Sequence, residues 1–189
     1  IFFKGRDITA LSPASVAKLG MVRSFQISAV FPTLTVFENV RVALQRLRGD
    51  TYSFWRSERV LDALEGRALE LIGAVGLTEY VNTPAGKISY GRKRALEIAT
   101  TLALDPEMLL LDEPMAGMGR EDVALMSDLI RSVAATRTVL MVEHNLSVVA
   151  SLSDRITVLA RGKLLAEGDY ASIAADPRVI EAYIGGGHG

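Results

Sequence analysis

The sequence predicts an α/β fold, a mainly parallel sheet interrupted by a long helical insertion. Three observations carry this. After position 105, apolar runs of strand length alternate with amphipathic runs of helix length, the pattern that builds parallel sheets through helical crossovers. Met108-Leu109-Leu110-Leu111 is apolar without a break, as in a strand buried on both faces of such a sheet. Residues 29–104, by contrast, carry little except helical periodicity. The expected division is a core from 1–28 and 105–184, a helical subdomain at 29–104, and a disordered glycine-rich tail at 185–189.

The elements follow in order. Residues 1–3 read as a strand entering the turn Lys4-Gly5-Arg6-Asp7. Ser12-Pro13 starts a helix, with serine as the cap and proline in the first turn, and Gly20 stops it. A short strand at 21–25 leads to Gln26. Residues 36–47 place apolar side chains at helical spacing, 48–53 break the pattern, and 58–75 form a longer amphipathic helix closed by Gly76. Ser89 caps a helix over 90–104, which Asp105-Pro106 ends. Strand 108–111, helix 121–134, strand 138–142 and a helix from Leu146 follow. Arg161-Gly162 between 155–159 and 163–166 is a hairpin signal, and Asp176-Pro177 opens a last helix to Ile184.

Composition narrows the function. The chain of 189 residues is 49% hydrophobic, enough for a sizeable core in one domain with an inserted subdomain. A net charge of −1 supplies no basic field for a nucleic acid, so none is expected as partner. No cysteine is present, which excludes a disulfide framework and thiolate metal sites. The longest apolar runs are strand-sized and end in charge, and no signal segment opens the sequence, so a role at a membrane would run through a partner.

The chemistry gathers at Leu109-Leu110-Leu111-Asp112-Glu113-Pro114. An apolar strand delivers two adjacent carboxylates to its C-terminal edge, where ligands bind in open parallel sheets. Asp112 can hold Mg²⁺, directly or through water. Glu113 can polarise a water for attack on a phosphoryl group. Such a pair by itself is more often two solvated acids. Upstream, Ser89-Tyr90-Gly91 stands at a helix start, where a hydroxyl and free amides suit an anion, although by itself an ordinary serine cap is the better explanation. Val142-Glu143-His144 ends another strand in a comparable place, and Gln26 ends a third.

Taken together, in this order and at these spacings, the four features resemble the ATP-binding domains of ABC transporters over essentially the whole chain. The resemblance implies a RecA-like P-loop core with an inserted helical subdomain. It implies that Gln26 is the Q-loop glutamine, sensing Mg²⁺ and facing the membrane partner. Ile88-Ser89-Tyr90-Gly91-Arg92 would be the signature loop, whose Ser89, Tyr90 and Gly91 contact ATP held by the opposite subunit. Asp112 would be the metal-associated acid, Glu113 the general base and His144 the switch histidine. ATP and Mg²⁺ are the implied cofactors. A second ATP-binding subunit and transmembrane permease subunits are the implied partners, at the cytoplasmic face of the membrane.

Finer wording narrows the resemblance to importers of branched-chain amino acids: Arg94-Ala95-Leu96-Glu97-Ile98-Ala99, Glu113-Pro114-Met115-Ala116-Gly117-Met118, Phe31-Pro32-Thr33-Leu34-Thr35-Val36, and the ending Val179-Ile180-Glu181-Ala182-Tyr183-Ile184. Urea and short-amide importers share much of this wording. Non-transport ABC ATPases would show a coiled-coil arm or a second head. The sequence departs from the pattern in three places. It contains no Gly-x-x-x-x-Gly-Lys-Ser/Thr, the loop that holds the β- and γ-phosphates. In the family that loop precedes the strand at Ile1, so the resemblance implies an N-terminally truncated domain, inactive alone or a non-catalytic fragment. Ile88 replaces the usual leucine, and Gly119 stands where many relatives carry an aspartate.

Overall fold

The computed structural model describes residues 1–24, 30–47 and 58–185. They fall into two compact units, Ile1–Val142 and Glu143–Gly189.

The first unit is built on three parallel strands in the order β3 (Met21–Arg23), β4 (Met108–Asp112) and β5 (Thr138–Val142). Val22 lies opposite Leu109, which lies opposite Val139; Asp112 lies opposite Val142. Side chains alternate across a strand, so Val22, Leu109 and Leu111 share one face, and all three are buried. Helix α5 (Arg120–Ala134) crosses from β4 to β5 and packs on β5, burying Met126, Leu129, Ile130 and Val133. Ahead of the sheet, β1 (Phe2–Phe3) and β2 (Arg6–Asp7) form a small antiparallel hairpin. Its turn residues Lys4 and Gly5 both have positive φ, the conformation whose twist suits a two-residue hairpin. Helix α1 (Pro13–Lys18) is capped by Ser12, as the sequence predicts, and packs on β3.

Between β3 and β4 the described residues form helices, short 3₁₀ turns and one isolated bridge from Thr35 to Pro84. Helix α2 (Val36–Leu47) opens with a reciprocal capping box: Glu38 N donates to Thr35 Oγ1, and Thr35 N donates to Glu38 Oε2. Helix α3 (Glu58–Ala74) ends at Gly76, whose φ of +71° lets Leu77 N reach back to Ile72 O at 2.9 Å. Helix α4 (Tyr90–Leu102) touches α2, α3 and α5. That position makes it buried on most sides, with Leu96 and Ala99 at zero exposure. Its buried Arg94 and Glu97 form a 2.9 Å ion pair. Burial works against the Arg94 charge, but Glu97 and, to a smaller extent, Tyr90 together outweigh it and raise the guanidinium above its ordinary value.

The second unit holds α6 (Leu146–Leu152), an antiparallel hairpin of β6 (Ile156–Ala160) and β7 (Lys163–Gly168), then α7 (Tyr170–Ala174) and α8 (Pro177–Gly185). The hairpin turns at Arg161 and Gly162, both at positive φ. Ala166, Ile173 and Val179 form its small core, with Ile156, Val158 and Leu165 packed against them.

Several boundaries differ from expectation. The strand expected over 21–25 ends at Arg23, and Phe25 and Gln26 lie outside the described residues. The helix expected to reach 104 stops at Leu102; Asp105 then turns into the left-handed region at φ 46°, which aspartate visits more readily than most residues. Among the described residues, β6 and β7 pair only with each other, so the parallel sheet is confined to β3, β4 and β5. Helix α7 has no counterpart in the sequence reading. Five residues are too few to show a period, and its one local signal is Asp169, which caps it by accepting from Ser172 N at 2.8 Å. Gly185, expected in the tail, closes α8, and 186–189 lie outside the described residues.

Candidate functional site

All three parallel strands end at one edge of the sheet, and Asp112 is the last residue of β4. Its side chain is 24% exposed, and Oδ2 accepts a 2.8 Å bond from Nη2 of Arg23, the last residue of β3. Glu113 follows. Its N–H donates to Val142 O at 2.9 Å, so the backbone stays tied to β5 for one more step. Its φ is +44°, a region that a glutamate adopts only when the surroundings impose it. This bends the chain sharply off the strand at the acid pair. Buried Pro114 and Met115 then anchor the turn, with Ala116 N bonded back to Glu113 O.

The loop after the acids meets the start of α4. Ser89 is the N-cap, its hydroxyl accepting from Arg92 N at 3.4 Å, and Ile88 beneath it is buried. An isoleucine fills that apolar anchor as a leucine would. Ser89 and Tyr90 are exposed. Gly117 turns at φ +75° under the Tyr90 ring, where a Cβ would stand 3.6 Å from Cε1. Gly91 is buried against α5, and a Cβ there would come within 2.5 Å of Asp122 Cγ. A larger residue in place of the glycine of Ser-Tyr-Gly would have to push the Asp122 carboxylate aside. Gly119 is the N-cap of α5 and supplies no side-chain cap; an aspartate or asparagine there would supply one.

His144 belongs to the second unit, where it is exposed; its N–H and that of Asn145 donate to Glu143 Oε2 at 3.1 and 3.2 Å. Gln26 lies outside the described residues. The first unit thus brings Asp112 and Glu113 to the strand edge and Ser89, Tyr90 and Gly91 to the start of α4. Sequence reasoning missed Arg23, Asp122 and Asn39. Asn39 is 3% exposed; its amide accepts from Phe31 N and donates to Phe31 O, Leu34 O and Thr35 O. It fastens a loop whose Phe31 is 52% exposed. Its only sequence signal was the polar interruption of an otherwise apolar helix face.

A family profile described as ABC transporter matches residues 1–116. The chain belongs to the ABC transporter family. A second profile, branched-chain amino acid ATP-binding cassette transporter, matches 163–189. The cassette is 38% identical to the Pseudomonas aeruginosa high-affinity branched-chain amino acid transport ATP-binding protein BraF, across 96% of this chain and 74% of that protein. It is 35% identical to LivG of Salmonella typhimurium, which carries the same description, across 98% of this chain and 75% of LivG. Among solved structures it resembles the ADP conformation of MJ1267, an ATP-binding cassette of an ABC transporter, with a TM-score of 0.79 and 27% identity over 97% of this chain and 76% of that one. The fold is that of an ABC ATPase cassette, RecA-like with a P-loop architecture. No helix among the described residues is long and apolar enough to cross a membrane.

Proposed function

We propose that this cassette belongs to an importer of branched-chain amino acids, where it works as the ATP-hydrolysing subunit. It would sit on the cytoplasmic face of the membrane, dimerise with a second ATP-binding subunit and dock on transmembrane permease subunits. The observation that carries this is the acid pair at the strand edge, with Glu113 held at positive φ as the chain turns away. The likeness to BraF and LivG supports the choice of solute; urea and short amides are the alternative, since the solute itself never meets this subunit.

In this reading Glu113 takes a proton from the attacking water and His144 steadies the phosphate being released. Asp112 associates with the metal, and Gln26 senses it. Ser89, Tyr90 and Gly91 face the nucleotide of the opposite subunit. Mg²⁺ suits the acids present: it needs only one or two carboxylates beside the phosphates, and Asp112 at the end of β4 supplies one. The ion would neutralise phosphate charge. Residues 29–104 would form a helical subdomain inserted into a core of 1–28 and 105–184, and the segment with exposed Phe31 would meet the membrane subunit.

A second reading concerns the polypeptide of these 189 residues taken alone. Without a Gly-x-x-x-x-Gly-Lys-Ser/Thr loop it lacks the charge-assisted donors that hold a triphosphate, and two carboxylates repel a polyanion. Calorimetry with Mg-ATP tests both readings, on this chain and on a form extended at Ile1 by the preceding residues of BraF. Binding and ATP-driven dimerisation are expected only in the extended form. Their absence there refutes the ATPase reading, and tight binding by the 189 residues refutes the second.

A further inference from the structure

We propose that Arg23 is the resting counter-ion of Asp112, a positioning residue that a divalent cation must displace from the carboxylate before the acid can serve the metal. This rests on the reading of Asp112 as the metal-associated acid. The geometry comes from the parallel register. Arg23 lies opposite Leu110, so Asp112, two residues further on, projects from the same face of the sheet. The two side chains close a 2.8 Å bond between Nη2 and Oδ2 across 89 residues of sequence.

The partners are unequal. The Asp112 side chain is 24% exposed and the Arg23 side chain 60%. The carboxylate is thus the fixed member, and the guanidinium is a solvated arm. Its root is fixed too, because Ser24 N donates to Leu110 O at 2.9 Å immediately after it. An oxygen whose lone pair is aimed at a guanidinium cannot offer it undiminished to a cation, and two cations at one oxygen repel. With Glu113 adjacent, Arg23 also offsets part of a doubly negative strand end. A cation that competes for Oδ2 is what frees the acid for the metal.

The alternative is an incidental surface pair, which would leave cation affinity unmoved. The test uses the 189-residue chain, Mn²⁺ as the probe and electron paramagnetic resonance to count free ion. Thermal melting checks that each variant folds. Arg23→Met keeps the length of the side chain and removes its charge. It should tighten Mn²⁺ about twofold to fivefold, the upper part of the worth of an exposed ion pair expressed as affinity, and Asp112→Asn should erase that gain. A change below about twofold, weaker binding, or no detectable binding by Arg23→Met overturns the proposal. If Asp112→Asn weakens Mn²⁺ in the parent while Arg23→Met does nothing, only the role of Arg23 falls. If Asp112→Asn changes nothing in either background, Asp112 is not the metal-associated acid and both fall.

Discussion

On one face of the three-stranded sheet Val22, Leu109 and Leu111 are buried; on the other, Leu140 and Val142 are 55% and 60% exposed. The residues are of the same kind and stand on adjacent strands. An unbroken apolar run fits a strand covered on both sides, yet Met108 and Leu110 on the second face of β4 are only part-buried. The open face is also the one that ends in Arg23 and Asp112. The closed face accounts for stability and the open face for chemistry and association, and substitutions on the two should have opposite signatures.

Leu109→Ala should have the largest effect, a loss of about 2–5 kcal/mol for a fully buried leucine. Leu140→Ala should stay within about 0.5 kcal/mol, as an exposed position does. Urea unfolding of the two variants checks the pair, and equal losses would break the comparison.

Next in size is Asn39→Ala. It strips a buried amide from the carbonyls of Phe31, Leu34 and Thr35 and should cost about 1–3 kcal/mol. The same change should speed hydrogen exchange at Phe31 N, which Asn39 Oδ1 now engages. It sharpens the comparison by asking whether a buried polar anchor behaves as the closed apolar face does. Unchanged exchange at Phe31 would show that the loop is held by other means.

The open face should matter for association rather than folding. An exposed apolar patch, on a strand with no charge or proline in Thr138–Val142, invites pairing between copies. Leu140→Lys with Val142→Lys should shift the light-scattering mass toward the monomer and alter stability by no more than about 0.5 kcal/mol. A chain that is already monomeric would remove this consequence of the open face.

The sequence made the covered strand and its acids legible because both are local. An apolar run, an Asp-Glu-Pro and a serine cap need no distant partner, and they lie at the expected residues. The open face was not legible, since periodicity says which side chains are apolar but not what covers them. Nor was the Arg23–Asp112 bond, which exists only through the register of strands far apart in the chain. The close approach of Gly91 to Asp122 is equally non-local. The positive φ of Glu113 leaves no trace either, because a glycine or asparagine would be the expected occupant.

The smallest effect lies in the second unit. At the start of α8, hydrogen bonds from the Arg178 guanidinium and N–H hold the Asp176 carboxyl down to about 2 from its ordinary 3.8. A depressed carboxyl contributes stability that is present above its unfolded value and disappears as pH falls through the folded one. The order of α8 should therefore be flat above 3.8 and fade toward 2. Asp176→Asn should remove that step from the nuclear magnetic resonance titration of the α8 amides.

The central claim is that the strand edge carrying Asp112 and Glu113 is the hydrolytic centre of an ATP-binding cassette. Single-turnover hydrolysis by the BraF-extended form, with and without Glu113→Gln, tests it most directly. The account predicts that nucleotide binding survives the substitution while hydrolysis falls about 10²–10⁴-fold, the range a general base supplies. Hydrolysis at the parent rate with Glu113→Gln in place would contradict it.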